Sequence, residues 1–166
     1  MMMIEMHSGD QTIRYDREAT AEIYETMNNG WAEDCGCVGC RNLIAQRDLI
    51  YPVAFRELLK LIGVDSNKEA EAVADGPLDN GLHHYGGWFY FVGEMVTVGE
   101  GLVVVSDAPH FGYFFFRHGR MGPKEFRNVP YLGIEFVAHF KSVLDESWDS
   151  KLLVPVAPHA PDGPGT

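Results

Sequence analysis

The three cysteines of this chain are the residues best suited to do chemistry. They fall within six residues, as Cys35, Cys37 and Cys40, and the sequence contains no others. Thiolates packed this closely are soft ligands for a thiophilic metal, and they can also react as redox nucleophiles. An odd number of cysteines does not suit a disulfide framework. The segment therefore predicts either a metal-ligating cluster or a cluster of free thiols.

A structural zinc ion requires four ligands at the corners of a tetrahedron. Gly36 and Gly39 would allow the backbone to fold tightly, so that three sulfurs face one ion while nearby amides donate hydrogen bonds to them. We expect the fourth ligand to be His83 or His84, because both precede the first long strand and a loop at the end of a sheet can reach the start of a helix. The other histidines considered are His110, His118 and His139.

Two further interpretations of the cysteines stay open. Zinc knuckles usually separate paired cysteines by two or more residues, and there is no second pair, so the cluster could be structural without a metal. Alternatively, Cys40 begins a helix beside Arg41. A helix N-terminus and a guanidinium both lower the pKa of a thiol, which favours Cys40 as a nucleophile and Cys37 as its resolving partner. The strand that precedes the motif in thioredoxins is absent from the pattern.

The first half of the chain has mainly helical patterns. The sequence predicts a hairpin over residues 4–15, a helix over 18–27 and a loop between helices that carries the cysteines. Apolar residues recur at helical spacing over 43–62. Pro52 interrupts them and predicts either a kink near Tyr51 or two helices, with Pro52 in the first turn of the second. Residues 66–74 fit either a capped helix or an edge strand.

The second half predicts strands, because aromatic and β-branched residues alternate there between glycines. The expected strands span residues 88–98, 102–105, 111–117 and 132–140. A short turn at residues 99–101 would make neighbours of the first two strands. The resulting fold class is α+β, a single domain over residues 1–154 with N-terminal helices packed on a C-terminal antiparallel meander. A Pro- and Gly-rich tail, residues 155–166, is expected to be disordered.

The chain is acidic, with 13 Lys plus Arg against 24 Asp plus Glu and a formal charge of -11. This charge repels phosphate backbones and anionic lipids, so neither nucleic acid nor a membrane is the expected partner. A loop over residues 118–130 gathers basic residues, which we interpret as pairing with carboxylates of the same chain. The sequence has neither a basic start followed by an apolar segment nor an apolar run of membrane-spanning length, which favours a cytoplasmic location. The sequence leaves open whether the protein binds another protein.

The cysteine segment carries a C-x-C-x-x-C-x-N signature over residues 35–42, followed by Tyr51-Pro52 and Leu58-Leu59. With these motifs the chain resembles a group of short bacterial and phage proteins of uncharacterised function, over residues 31–146. The resemblance implies no activity and transfers no catalytic residue, but it implies that the cysteine cluster is a shared feature. We interpret the protein as a non-enzymatic binding or interaction domain with a zinc-binding loop. The alternative is a thiol-dependent redox enzyme that uses Cys37 and Cys40.

Overall fold

The computed structural model describes residues 2–117 and 123–148. Within these ranges the helices and a 3₁₀ turn are α1 (Arg17–Thr26), α2 (Trp31–Cys35), α3 (Val38–Ile50), α4 (Val53–Leu61) and the turn Lys124–Phe126. The strands are β1 (Ile4–Ser8), β2 (Gln11–Tyr15), β3 (Glu71–Asp75), β4 (His83–Thr97), β5 (Val103–Val105), β6 (Ala108–Arg117) and β7 (Tyr131–Phe140). The predicted tail and residues 118–122 of the predicted loop lie outside the described residues.

All strand pairs are antiparallel and form one sheet in the order β1-β2-β4-β7-β6-β5, with β3 paired to another part of β4. The α+β class and the N-terminal helices are confirmed. The strand order departs from the predicted meander, because β7 lies between β4 and β6. Residues 99–101 do not make antiparallel neighbours of β4 and β5, because β5 pairs with β6 instead. The amides of this segment are held by the β1-β2 hairpin, where the Asp10 carboxylate accepts hydrogen bonds from Glu100 and Gly101.

Aromatic rings join the helices to the sheet. Tyr51, which follows α3, lies 5.0 Å from Phe136 between ring centroids, and Phe55 of α4 lies 4.7 Å from Phe111. Phe89 completes this group, and all five side chains are buried. Tilted and edge-to-face ring pairs of this kind add packing specificity to the burial of apolar area. The aromatic core therefore determines the distance between the sheet and the helices α3 and α4.

Two alternatives left open by the sequence are decided by the structure. Pro52 directly precedes α4 as its N-cap residue rather than lying in its first turn, so the segment is divided into α3 and α4 and is not one helix kinked near Tyr51. Within α3, Gln46 has non-helical backbone angles, with φ -135° and ψ 24°. The segment after residue 66 forms β3, which pairs with β4. Within the described residues, none of the helices has the length and apolar composition required to cross a membrane.

Candidate metal centre

The three cysteines surround the junction between α2 and α3. Cys35 is the last residue of α2, Cys37 is the N-cap residue of α3, and Cys40 lies in the first turn of α3. Their sulfur atoms all lie within 4.8 Å of one another. The loop predicted to carry the cysteines is therefore only a short turn between α2 and α3. Gly36 makes this junction with a φ of 63°, a left-handed conformation that favours glycine.

The start of α3 stabilises negative charge on one sulfur in particular. The Cys37 Sγ caps the helix and accepts a hydrogen bond from the Cys40 amide at 3.5 Å. Burial raises the pKa of Cys37, but hydrogen bonds from the amides of Cys40 and Gly39 and from the neighbouring thiols outweigh it, so the pKa falls below its usual value. As the pH rises, Cys37 therefore loses its proton before Cys40 does.

The Cys40 thiol has the opposite environment. Burial raises the pKa of Cys40, and its interactions with Cys35 and Cys37 raise it further. The side chain is buried, whereas Cys35 is exposed. The sequence-based expectation that the helix N-terminus and Arg41 lower the pKa of Cys40 is therefore wrong. The helix terminus acts mainly on the N-cap sulfur, and Cys40 already lies inside the helix against the sheet.

Gly39 brings the cysteines close to β3. A Cβ atom at Gly39 would lie 2.7 Å from the Cβ of Ala74, so any larger residue would push α3 away from the strand. The first turn of α3 therefore packs directly on the sheet. This close approach encloses Cys40, whose surroundings include Ala72 and Tyr85.

Asn42, the last residue of the signature, connects three parts of the fold and is fully buried. Its Nδ2 donates to the Tyr85 hydroxyl at 2.5 Å, and its Oδ1 accepts from the amide of Val143 at 2.8 Å. Beside it, Arg41 donates to the carbonyl of Gly36 at 2.6 Å and pairs with Glu146. The segment over residues 141–148 is part of the site, although no sequence pattern indicated this. The asparagine of the signature was the signal that could have indicated a buried partner.

The two histidines expected as a fourth ligand differ in orientation, because successive residues of a strand face opposite sides of the sheet. His83 shares the face of Tyr85, is buried, and stacks on Trp148 with 3.7 Å between ring centroids. Its Nδ1 has no hydrogen-bond partner among the described residues. His84 lies on the other face, where its Nδ1 is 3.0 Å from the Nε2 of His139.

Within the described part of the chain, the group of ligand atoms within 4.8 Å of one another contains the three cysteines and no histidine. The role of His83 or His84 as a ligand therefore stays a prediction. His110 is exposed on β6, and His118 lies outside the described residues.

No protein-family model matches the sequence, and comparisons with curated proteins and with solved structures find no significant match. The class of the protein therefore rests on its fold and its site alone. It is an α+β domain with three clustered thiols at a helix junction, compatible with a metal-binding site.

Proposed function

We propose that the protein is a non-enzymatic binding module in which Cys35, Cys37 and Cys40 hold a zinc ion. The observation that carries this proposal is the mutual distance of the three sulfurs, within 4.8 Å. Zinc bound at about 2.3 Å from each thiolate would bring sulfurs to about 3.8 Å from one another, so a modest side-chain movement suffices. Hydrogen bonds from the amides of Cys40 and Gly39 to Cys37 supply the outer shell that such thiolates require.

The ion would join the end of α2 to the start of α3. Without the ion, the two helices are joined through Gly36, which has a left-handed backbone conformation. The relative orientation of the helices then depends on the residues that pack around this junction. Binding energy at a structural zinc site adds to the free energy of folding, because the unfolded chain has no preformed site. We therefore assign the metal a structural role, with the adjacent surfaces available to a partner.

His83 is the better candidate for the fourth ligand. It is on the face of β4 that α3 covers, and its Nδ1, which has no hydrogen-bond partner among the described residues, is an imidazole nitrogen that can donate its lone pair to a metal ion. His84 already contacts His139 on the opposite face. A water molecule or an external thiol is the alternative fourth ligand, since Cys35 leaves one side of the cluster exposed.

The composition supports the remaining parts of the proposal. A formal charge of -11 opposes binding to nucleic acid and anionic lipid. Reduced thiols or zinc thiolates fit a cytoplasmic location, where disulfides are rare. The resemblance to short bacterial and phage proteins stays an expectation and contributes no activity.

The test is elemental analysis of the purified protein combined with a thiol assay before and after chelation. We expect one zinc per chain and three thiols that become reactive when the chelator removes it. Cobalt substitution should give the intense near-ultraviolet bands of thiolate coordination. Protein purified without chelator that contains no metal, fails to bind added zinc and has three freely reactive thiols would contradict the proposal.

A thiol-dependent redox enzyme is the second candidate, and the lowered pKa of Cys37 is the observation that favours it. In this case the Cys37 thiolate adds to the N=N bond of an oxidant such as diamide. The Cys40 sulfur then breaks the S–N bond of this adduct to form the Cys37-Cys40 disulfide, and diamide leaves as its hydrazine, which has gained two electrons and two protons. A reversible Cys37-Cys40 disulfide in a protein that binds no zinc would support this candidate against the first.

A further inference from the structure

A cavity of about 480 Å³ opens beside the end of α1, away from the three cysteines, none of which lines it. Its walls come from α1, α2, β3, β4 and the 3₁₀ turn, so five elements distant in sequence meet there. A cavity of this volume is in the range that holds a small organic molecule.

Five aromatic side chains line the cavity: Tyr24, Trp31, Trp88, Tyr90 and Phe126. Trp88 and Tyr90 project from the same face of β4. Phe126 of the 3₁₀ turn lies 6.1 Å from Tyr90 and 6.2 Å from Tyr24 between ring centroids. The rings are therefore held in place by one another.

Trp31 also lines the cavity, and 43% of its surface is exposed. Its position is fixed through the backbone, because its amide donates to the carbonyl of Glu69 at 2.8 Å. Gly30 packs so closely on this segment that a Cβ there would lie 2.6 Å from the carbonyl oxygen of Asn67. The backbone contacts of Gly30 and Trp31 therefore hold the exposed indole ring of Trp31 in a fixed position in the cavity lining.

The lining also carries a net negative charge. Asp34 and Glu71 line the cavity without an ion-pair partner among the described residues, and Glu125 pairs with the exposed Lys124 at 3.7 Å. The described lining residues themselves include no lysine, arginine or histidine. Glu71 is opposite Trp88 in the β3-β4 register, which puts its side chain beside the indole. The fourth lining carboxylate, Glu69, is already neutralised by Arg47 at 2.8 Å.

We propose that this cavity binds an organic cation with a methylated ammonium group. The faces of tryptophan, tyrosine and phenylalanine attract such a cation through their quadrupoles, and a methylated ammonium loses little hydration on entering. The carboxylates at the rim add long-range attraction that a neutral ligand of the same shape would not experience. A hard metal ion would find carboxylates but no closed oxygen shell, and an anion would be repelled. This site does not depend on zinc at the cysteines.

The experiment measures binding by isothermal titration and by tryptophan fluorescence of the full chain. The probes are choline and its neutral isostere 3,3-dimethylbutan-1-ol. We expect choline to bind and to change the fluorescence of Trp31 and Trp88, and the isostere to bind at least tenfold more weakly. The variant Trp148→Phe removes the third tryptophan, which is outside the cavity lining, and should give the same affinity.

Matched variants separate charge from shape. Glu71→Gln combined with Glu125→Gln should weaken choline binding about tenfold, while Glu94→Gln on the exposed part of β4 should leave it unchanged. Trp88→Leu should abolish binding, with the unfolding transition recorded to show that the variant is folded. Equal binding of choline and its isostere, or no binding of choline at 10 mM by the folded wild-type chain, would overturn the proposal.

A third probe identifies the source of the ammonium group. Nα-acetyl-Nε-trimethyllysine amide presents the same methylated cation on a peptide-like backbone. Tighter binding of this probe than of choline supports a modified lysine side chain as the natural ligand. Tighter binding of choline supports a small molecule.

Discussion

The side chain of Gln11 pairs with the backbone of Phe115, a residue in a strand that is not its neighbour in the sheet. The Gln11 Nε2 donates to the Phe115 carbonyl at 2.7 Å, and the Phe115 amide donates to Oε1 at 2.8 Å. The carboxamide thus makes the two hydrogen bonds that an adjacent strand would make. It fastens the β1-β2 hairpin to β6 beyond the short strand β5.

Replacing Gln11 by leucine should lower the free energy of unfolding by about 1–3 kcal/mol, because the amide and carbonyl of Phe115 would be left buried and unpaired. Urea unfolding monitored by circular dichroism measures the change. Arg14→Gln, on the exposed face of the same strand, is the matched control and should change stability by less than about 1 kcal/mol. Equal effects of the two variants would show that the Gln11 pair contributes nothing specific.

Arg47 and Glu69 form a buried ion pair, with Nε to Oε1 at 2.8 Å and Nη2 to Oε2 at 3.0 Å. Tyr51 donates to the same carboxylate at 2.9 Å. Glu69→Ala should lower the free energy of unfolding by about 3–5 kcal/mol, because the buried guanidinium loses its closest counter-charge. Arg47→Met combined with Glu69→Met should restore part of this loss.

A double-mutant cycle in urea measures the coupling between Arg47 and Glu69. The exposed pair of Arg56 and Asp48, 3.4 Å apart, is the control and should couple by less than about 1 kcal/mol. If the Arg47-Glu69 coupling were no larger than this value, the pair would have no more structural importance than a surface salt bridge.

Cys35→Ser, Cys37→Ser and Cys40→Ser should each abolish stoichiometric zinc and lower the melting temperature by several degrees, since one lost ligand dismantles the site. Metal analysis and calorimetry of the three variants measure this. His83→Ala should weaken zinc binding, whereas His84→Ala and His7→Ala should not. Three small and independent effects in the cysteine series would exclude a shared ion, and unchanged zinc affinity in His83→Ala would leave the fourth position to solvent.

Zinc affinity should rise as the pH is raised through neutrality. Burial raises the pKa of Cys40, so this thiol is protonated in the metal-free protein at pH 7 and must release its proton when zinc binds. Hydrogen bonds lower the pKa of Cys37, which therefore contributes less proton release. Titrations in buffers of different ionisation enthalpy count the protons. Zinc affinity that does not change between pH 6 and pH 8 would exclude thiol ligands.

Gly39→Ala should weaken zinc binding and destabilise the protein, because the added methyl group would contact Ala74 at 2.7 Å and displace the first turn of α3. The double variant Gly39→Ala with Ala74→Gly should recover zinc affinity, since the methyl group is only moved across the interface. Zinc titration and thermal unfolding of both variants test this. Failure of the second substitution to restore binding would mean that Gly39 acts through its backbone conformation instead.

The sequence by itself determined the local features of this protein. Three clustered cysteines, the apolar residues at helical spacing up to Gly63 and the alternation along residues 132–140 depend only on neighbours in the chain. They were sufficient to predict a thiol cluster, a helical segment interrupted at Pro52 and the antiparallel strands. The α+β class followed, because elements of these types must bury their apolar faces against one another.

The tertiary structure alone decided which distant residues meet. The insertion of β7 between β4 and β6, the packing of Gly39 on Ala74 and the contact of Asn42 with Val143 join residues that no periodicity relates. Pairing with β7 also extends β4 back to His83, which puts His83 and His84 on opposite faces of the sheet, and long-range packing collects Trp31, Trp88 and Phe126 around one cavity. Local sequence patterns determine which face of an element is apolar, but only long-range packing selects the partner that covers it.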